Sequence, residues 1–364
     1  MEAFKNIFNS QSVELLANCV KQVWPKFKTE SFQKSVIDEL SSLEMKDRVR
    51  LIAGSLRKYL PQDFQKACSI LLKSLKSKEN PNGLSGFIVW PLTQFVEDYG
   101  LEDFNFSMQA LKKMTSRHTS EFAVRPFLRA DDKKVFRFFK KWKRDPDEHV
   151  RRWVSEGTRP HLPWGMSVPA LKDKPERSID LILDLAYDES EYVRKSVANH
   201  LNDISHFDQK LAMEALESID QGNIEQKRLV KRASRTLLKN NVTRAFKICG
   251  YTSAPKVEVV FLKVSPKKLQ EGKDLNLELR LTSLKKQKLQ ISFRISFPRK
   301  NQTYSDKIFQ LKDVELKKDE TISLEKKHSF KKVTTRKHYP GKYLVALRLN
   351  GQEVAWGEFQ LLKS

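Results

Sequence analysis

Apolar residues recur every three or four positions from the N-terminus to about residue 250. The segments VELLANCVKQVW, FQKACSILLKSL, SIDLILDLAY and QKLAMEALESI show this spacing, which is typical of amphipathic helices. After a short polar connector, YTSAPK, the pattern changes to alternation, as in VEVVFLKV, LNLELRLT and LQISFRISF. Alternation is typical of half-buried strands. The pattern therefore predicts a helical domain over 1–250, a linker at 251–256 and a β domain over 257–364.

The β domain is predicted to contain several short strands separated by the turn sequences EGK, PGK and NGQ. Short strands at such regular spacing fit an immunoglobulin-like β-sandwich. An open barrel is the alternative. The fold class that we expect is a two-domain α + β protein, with an all-α N-terminal part and a C-terminal sandwich.

The helical part contains an internal repeat. The segment DEHVRRWVSEGTRP (147–160) aligns with SEYVRKSVANHLND (190–203) at a constant offset of 43 residues, and LVKRASRTLLK forms a weaker third copy at an offset of 37. Helical repeats of this length are typical of HEAT and armadillo solenoids, in which helix pairs stack into a curved row with a concave groove. We therefore expect a HEAT-like solenoid.

The repeat also predicts which side chains line the groove. On the second helix of each repeat the valines point into the stack, so the residues two positions later share a different face. The cations predicted on that face are Arg152, Arg159, Lys195, Arg232, Arg235 and Lys239. Because each Lys or Arg that contacts a phosphate releases a counterion, such a groove would bind DNA without sequence preference. The alternative is an ordinary solvated helix face.

The overall charge supports a polyanionic partner. The 364 residues contain 68 Lys plus Arg against 45 Asp plus Glu, a formal net charge of +23. A basic excess of this size favours nucleic acid. The three cysteines lie far apart without a CxxC pair, and the sequence contains neither a secretory leader nor an apolar run of about 20 residues. We expect a cytoplasmic protein.

Three carboxylates interrupt the basic groove. Glu121, on a helix predicted around 116–131, Glu156 and Asp203 fall on successive predicted helices and on one face. A cluster of anions costs repulsion, so it suggests that a cationic group is bound there. The alternative for each carboxylate is a salt bridge to a neighbouring arginine. Trp164, in the loop RPHLPWG, is a candidate for stacking on a base or holding a cation, unless it only anchors the loop.

Four segments in this order carry a family resemblance: GFIVWPLTQFVEDYG (86–100), SEFAVRPFL (120–128), VRRWVSEGTRPHLPWG (150–165) and EYVRKSVANHLNDIS (191–205). The chain resembles the HEAT-like-repeat DNA alkylation repair glycosylases, specifically the AlkC branch, over nearly its whole length. The β domain is similar to the immunoglobulin-like domain of the larger AlkC members, which the related AlkD branch lacks.

The resemblance implies a monofunctional, monomeric glycosylase that removes cationic methylated bases from double-stranded DNA, with 3-methyladenine, 3-methylcytosine and 1-methyladenine as the expected substrates. It implies that Asp203 stabilises the sugar cation and directs water, that Glu156 and Glu121 assist, and that Trp164 faces the lesion. The same comparison implies that flanking phosphates are held by Arg152, Arg159, Lys195, Arg232 and Arg235. Neither a cofactor nor a deep base pocket is expected.

Two other functions compete with this interpretation. A non-catalytic HEAT scaffold that binds nucleic acid or an acidic protein would show the same fold and charge. An iron-dependent oxidative demethylase is suggested by the His-x-Asp spacing of His206 and Asp208, with His328 or His338 as a distant partner. That triad requires a β-barrel framework, whereas His206 lies in the helical half. Neither GxxxxGK[ST] nor GxGxxG occurs, so the sequence predicts no nucleotide cofactor, and we expect no metal.

Overall fold

The computed structural model describes residues 4–301, 303–332 and 337–362. The chain divides into two compact units, Met1–Ala233 and Ser234–Ser364. The change from helix to strand falls at Val257, close to its predicted position. The second unit begins earlier because two short helices pack with the strands: Asn241 donates through Nδ2 to the carbonyl of Gly351 at 3.0 Å. The linker that the sequence places at 251–256, between the helical and the β domain, therefore stays a prediction.

The first unit is helical, with short 3₁₀ turns at Phe4–Ile7, Gly86–Val89 and Asp184–Tyr187. No helix in the described part of the chain is long and apolar enough to cross a membrane. The helices are α1 Ser10–Val23, α2 Thr29–Leu40, α3 Met45–Tyr59, α4 Phe64–Lys73, α5 Trp90–Tyr99, α6 Phe104–Thr115, α7 Arg125–Trp142, α8 Glu148–Gly157, α9 Ala170–Asp173, α10 Glu176–Ile182, α11 Glu191–Ile204, α12 Gln209–Glu217 and α13 Ile224–Ala233.

Helices α8, α11 and α13 carry the three copies of the repeat, and they lie side by side, α8 against α11 and α11 against α13. The repeat valines Val150, Val154, Val193 and Val197 are all buried, as is Val230 of the third copy. Equivalent positions of successive copies thus occupy equivalent places in the core. The predicted HEAT-like stack is confirmed.

In the first two copies, an arginine near the start of the helix closes the loop that precedes it. Arg151 donates through Nη1 to the carbonyls of residues 145 and 146, at 2.9 and 3.0 Å. Arg194 does the same to the carbonyls of residues 188 and 189, at 2.5 and 2.8 Å. The two arginine donors are 43 residues apart, and so are their carbonyl acceptors. The sequence repeat therefore corresponds to the same hydrogen bonds in two successive copies.

In its described residues, the second unit contains two helices, two sheets and the connections between them. The elements are α14 Arg235–Lys239, α15 Thr243–Ile248, β1 Val257–Ser265, β2 Lys268–Gln270, β3 Asp274–Ser283, β4 Gln287–Pro298, β5 Tyr304–Leu316, β6 Thr321–Ser329, β7 Gly341–Leu349 and β8 Gln352–Leu362.

The strands form a three-stranded sheet in the order β1-β3-β6 and a five-stranded sheet in the order β2-β8-β7-β4-β5. All pairs are antiparallel except β2 with β8. Leu275 and Leu277 of one sheet share a buried cluster with Phe293, Ile295 and Tyr343 of the other. Two sheets packed through a shared core confirm the predicted sandwich and not the open barrel.

Arg151 differs from its repeat partner Arg194 by two ion pairs, to Asp188 and to Glu189, and this difference predicts unequal effects on stability. Its Nε and Nη2 atoms donate to both oxygens of Asp188, at 2.7 and 3.0 Å, and both side chains are buried. We expect Arg151→Met to lower the free energy of unfolding by about 3 kcal/mol, because it leaves a buried carboxylate unpaired. The matched change Arg194→Met removes carbonyl contacts only and should cost about 1 kcal/mol. Chemical denaturation of both variants checks this, and equal losses would contradict it.

Candidate active site

The three predicted carboxylates lie on one alternating chain of ion pairs. Arg152 donates through Nη1 to Glu121 Oε2, and its Nη2 lies 3.5 Å from Glu156 Oε1. Arg159 Nη1 lies 2.5 Å from the same oxygen of Glu156, and Arg159 Nε lies 2.8 Å from Asp203 Oδ2. The order Glu121–Arg152–Glu156–Arg159–Asp203 is called the carboxylate–guanidinium chain below.

Helical spacing and the repeat together produce this arrangement. Arg152 and Glu156 are four residues apart on α8 and therefore neighbours on one face. Asp203 lies in the last turn of α11, the helix stacked on α8. Glu121 lies in the turn before α7 and not on a helix, because α7 begins at Arg125 with Pro126 in its first turn.

The carboxylates of the chain are shielded from solvent. Glu121, Glu156 and Asp203 are between 4% and 9% exposed. Burial alone would raise the pKa of Glu156, but the nearby Arg152 and Arg159 and a 2.6 Å hydrogen bond from Ser196 Oγ outweigh it and hold that pKa below its ordinary value. The three carboxylates outnumber the two guanidinium groups of the chain by one formal charge, and the charge of Arg125 also acts on Arg159 and Asp203.

A second buried arginine fixes the backbone that carries Arg159. Arg125 is 1% exposed and donates to the carbonyls of Gly157, Arg159 and Met166, at 3.2, 2.8 and 2.8 Å. Burial and then the proximity of Arg159 lower the pKa of Arg125 to about 10. The carbonyls at the end of a helix lack intrahelical partners, and Arg125 supplies donors to them. The exit of α8 is thereby held in one conformation.

Trp164 is presented to solvent by a strained backbone. Its side chain is 58% exposed, and its φ of 65° lies in the left-handed region that non-glycine residues seldom adopt. The Trp164 carbonyl accepts a 2.5 Å hydrogen bond from Lys46 Nζ. The Trp164 ring stacks on Trp90 at 6.5 Å between centroids, and Trp90 stacks on Phe122 at 5.3 Å. The exposed indole therefore ends a row of three rings that begins beside Glu121.

A cavity of about 610 Å³ opens beside Trp164. Its other walls come from the N-terminal segment and the start of α3, including Lys46 and Arg50. Neither cation was predicted from the sequence, because α3 shows no match to the repeat. The spacing MKDRVR would have placed them on one face of a helix, but nothing in it connects that face to Trp164.

The six cations predicted to contact phosphates differ in their surroundings. Arg152 and Arg159 are enclosed in the carboxylate–guanidinium chain, because buried anions require partners. Lys195 is exposed on α11 and pairs with Glu191 at 3.0 Å. Arg232 is exposed on α13, with its Nε 3.3 Å from Asn199 Oδ1. The remaining two predicted contacts, Arg235 and Lys239, lie on α14 in the second unit.

The His-x-Asp motif has a structural role in the first unit. Asp208 Oδ1 accepts a 2.8 Å hydrogen bond from the amide of Leu211 and so caps α12. Within residues 4–301, 303–332 and 337–362, the side chains of His, Cys, Asp and Glu form no group of three or more that could hold a metal ion.

Comparison with known proteins gives one family-model match and two full-length relatives. Residues 258–363 match the model described as the C-terminal Ig-like domain of the uncharacterised protein YhaZ. The uncharacterized protein YhaZ of Bacillus subtilis (strain 168) is 35% identical over 99% of this chain and 100% of its own length. The structure of Pseudomonas fluorescens alkylpurine DNA glycosylase AlkC, bound to DNA containing an abasic site analog, is 32% identical with a TM-score of 0.92, covering 100% of both chains.

The buried His200 behind Glu156 predicts a pH dependence of stability. Its Nδ1 lies 2.9 Å from the carbonyl oxygen of Ser155, its Nε2 lies 3.2 Å from Ser178 Oγ, and burial lowers its pKa to about 3. Between about pH 6.5 and pH 3 the unfolded chain binds a proton that the folded chain does not, so stability falls as the pH falls.

We expect His200→Gln to reduce that slope below pH 6.5 by up to about 1.4 kcal/mol per pH unit. Ser178→Ala removes the hydrogen bond without removing a titratable group, so it should lower stability by the same amount at every pH. Denaturation curves at pH 7, 6 and 5 measure both effects. A wild-type slope in His200→Gln would contradict the prediction.

Proposed function

We propose that this chain, which belongs to the AlkC branch of the HEAT-like-repeat DNA alkylation repair glycosylases, hydrolyses the N-glycosidic bond of alkylated bases in double-stranded DNA. The observation that carries the proposal is the carboxylate–guanidinium chain, a buried cluster of three carboxylates in a protein whose net charge is +23. The basic surface attracts DNA, and the anionic site is suited to a sugar that becomes positive.

The chemistry requires little more than this site and a water molecule. A base alkylated at a ring nitrogen is cationic and a good leaving group, so the electron pair of the glycosidic bond leaves with the base and neutralises it. The sugar that remains resembles an oxocarbenium ion, which nearby carboxylates stabilise. Water then adds to the sugar and gives its proton to a carboxylate.

Asp203 is the residue we assign to the sugar cation and to that proton. Arg159 donates to both of its oxygens, at 2.8 and 3.2 Å, which fixes the plane of the carboxylate. Glu156 and Glu121 supply further negative charge along the same chain. Arg152 and Arg159 act as positioning residues, because their donors are directed to these carboxylates and not to solvent.

DNA contacts then come from the exposed cations. Lys195 lies on α11, which packs on α8, and Arg232 lies on α13, which packs on α11; we propose that both contact flanking phosphates. Arg235 and Lys239 are proposed to serve the same purpose from the second unit. Such contacts hold the duplex without reading its sequence.

Trp164 is proposed to face the alkylated base. A cation over an indole ring gains about 0.5–2 kcal/mol, and the Trp164 ring is exposed and held by a constrained backbone, so it is available for that contact. This favours bases that are positively charged when methylated, namely 3-methyladenine, 3-methylcytosine and 1-methyladenine. The product would be an abasic site with an intact backbone, formed in the cytoplasm by a monomer without a cofactor.

A non-catalytic scaffold is the competing function, and it would bind DNA through the same fold without releasing a base. It does not account for three carboxylates that are kept buried in one cluster. Incubation with methylated duplex DNA followed by detection of abasic sites distinguishes the two functions.

We expect Asp203→Asn to slow base release by at least ~10²-fold, since it removes charge stabilisation from the developing cation. Asp208→Asn is the matched control, because asparagine also caps a helix and the residue lies five positions away. Single-turnover release from methylated duplex is the measurement. Equal rates for Asp203→Asn and wild type would remove Asp203 from the reaction, and no release by wild type would support the scaffold.

Trp164→Leu should slow release of a cationic base by roughly 2- to 30-fold, the equivalent of the cation–π contact. Trp164→Phe keeps an aromatic face and should retain much of the rate. The comparison is made on one duplex under single-turnover conditions. If leucine and phenylalanine gave the same rate, the ring would have no role beyond anchoring the loop.

A further inference from the structure

The outer face of α7 carries a row of cations that the proposed reaction does not use. Residues 129–144 contain eight Lys and Arg against two Asp. Six of these eight cations are exposed, and Lys134 and Lys143 are half-buried. The α7 cationic strip is defined as Lys133, Lys134, Arg137, Lys140 and Lys141.

The strip faces away from the carboxylate–guanidinium chain. The buried side of α7 packs on α8, where the rings of Phe139 and Trp142 lie 5.1 and 5.5 Å from that of Trp153. Successive helical residues are about 100° apart, so Arg137 projects about 160° from Phe139 around the α7 axis. The strip is therefore a separate surface of the first unit, on the side of α7 opposite to α8.

Two cavities flank the strip, and Arg137 lines both. The first, of about 290 Å³, is lined by Arg137, Lys134 and Lys141 with Asn105 of α6. The second, of about 250 Å³, is lined by Arg137, Lys133 and Lys140 with Arg177 and Asp180 of α10. Three cations of the strip thus line each cavity, and of the two only the second cavity also has a carboxylate in its lining.

The neighbouring acidic residues do not neutralise the strip. Asp132 pairs with Arg177, and Asp131 uses its carboxylate to accept a 2.8 Å hydrogen bond from the amide of Lys134. Lys133, Arg137, Lys140 and Lys141 form no ion pair within the part of the chain that the structure describes. Like charges four residues apart destabilise a helix, so the strip favours an external anion.

We propose that the α7 cationic strip binds the phosphodiester backbone of a second segment of duplex DNA. The cations recur about every 6 Å over about 12 Å of helix, which suits a line of phosphates and not a single anion. A single-stranded partner would require exposed aromatic rings for stacking, whereas Phe138 is half-buried. A lipid surface would require exposed apolar side chains, whereas Phe136, Phe139 and Trp142 are buried.

A second DNA site gives the protein two points of attachment. While one duplex leaves the face that carries the carboxylate–guanidinium chain, the other is still held, so the effective concentration of DNA near the site stays high. The strip needs no damaged base for this, and its binding does not depend on the proposed excision reaction.

The test compares two variants with the same change in net charge. The strip variant combines Lys133→Gln, Arg137→Gln, Lys140→Gln and Lys141→Gln, which keeps residues of good helix propensity. The control variant combines Lys26→Gln, Lys34→Gln, Lys66→Gln and Lys73→Gln, four exposed lysines elsewhere on the first unit. A single Arg137→Gln variant, at the residue lining both cavities, repeats the test with the smallest disturbance to folding.

The measurement is energy transfer between two labelled duplexes. The first is a short duplex with an abasic-site analogue, added in excess to fill the damage site, and the second is undamaged. Wild type and the control variant should bring the two together, whereas the strip variant should bind the second duplex at least ~10-fold more weakly, with a salt slope smaller by up to about 0.9 per lost phosphate contact. Single-turnover base release from a short methylated duplex should be unchanged in the strip variant.

Three results would overturn the proposal. Bridging by the strip variant at the wild-type level would show that the strip does not bind DNA, and an equal loss in the control variant would show an effect of net charge alone. Strip-dependent binding of wild type to phosphatidylglycerol vesicles, without a second duplex, would assign the surface to lipid. If wild type released no base, that result would contradict the proposed excision reaction. It would not affect the conclusion drawn from the bridging measurement.

Discussion

The arrangement of the helical unit depends on keeping three carboxylates buried within one small region. Each buried ion costs several kcal/mol of desolvation, and adjacent anions repel each other, so the cluster is stable only with guanidinium groups between its members. Arg152 and Arg159 occupy those positions, and each contacts two carboxylates. The packing of α8 on α11, the Arg125 hydrogen bonds and the buried His200 all hold the backbone that this alternation requires.

The repeat made much of this site predictable. An offset of 43 residues places equivalent positions of α8 and α11 side by side, so Glu156 and Asp203 were expected on neighbouring helices, where the structure has them. The prediction was less accurate where helices end. The prediction extended the groove face of α8 as far as Arg159. In the structure α8 ends at Gly157, so Arg159 lies in the following loop, whose backbone is held by Arg125. The third copy was predicted as one helix, but α13 ends at Ala233 and Arg235 begins another helix. Arg232 and Arg235 therefore lie on different helices.

Other features of the site have no signature in the sequence. A positive φ at a glycine can be anticipated, but at Trp164 it is imposed by tertiary contacts, one of them from Lys46, which lies 118 residues earlier. The stacking of Trp164 on Trp90 joins segments that share no spacing rule. Strain of this kind is retained only where surrounding contacts determine the backbone, and here they come from α3 and α5.

Charge acts on two length scales in this molecule. The formal net charge of +23 is distributed over the surface, where it attracts a polyanion at distances up to about 10 Å at ordinary ionic strength. The carboxylate–guanidinium chain has the opposite sign, but it is buried, so it acts only on groups brought into contact with it. The residues that we propose for DNA affinity are therefore different from those that we propose for stabilising a cationic sugar, so the two properties can be altered separately.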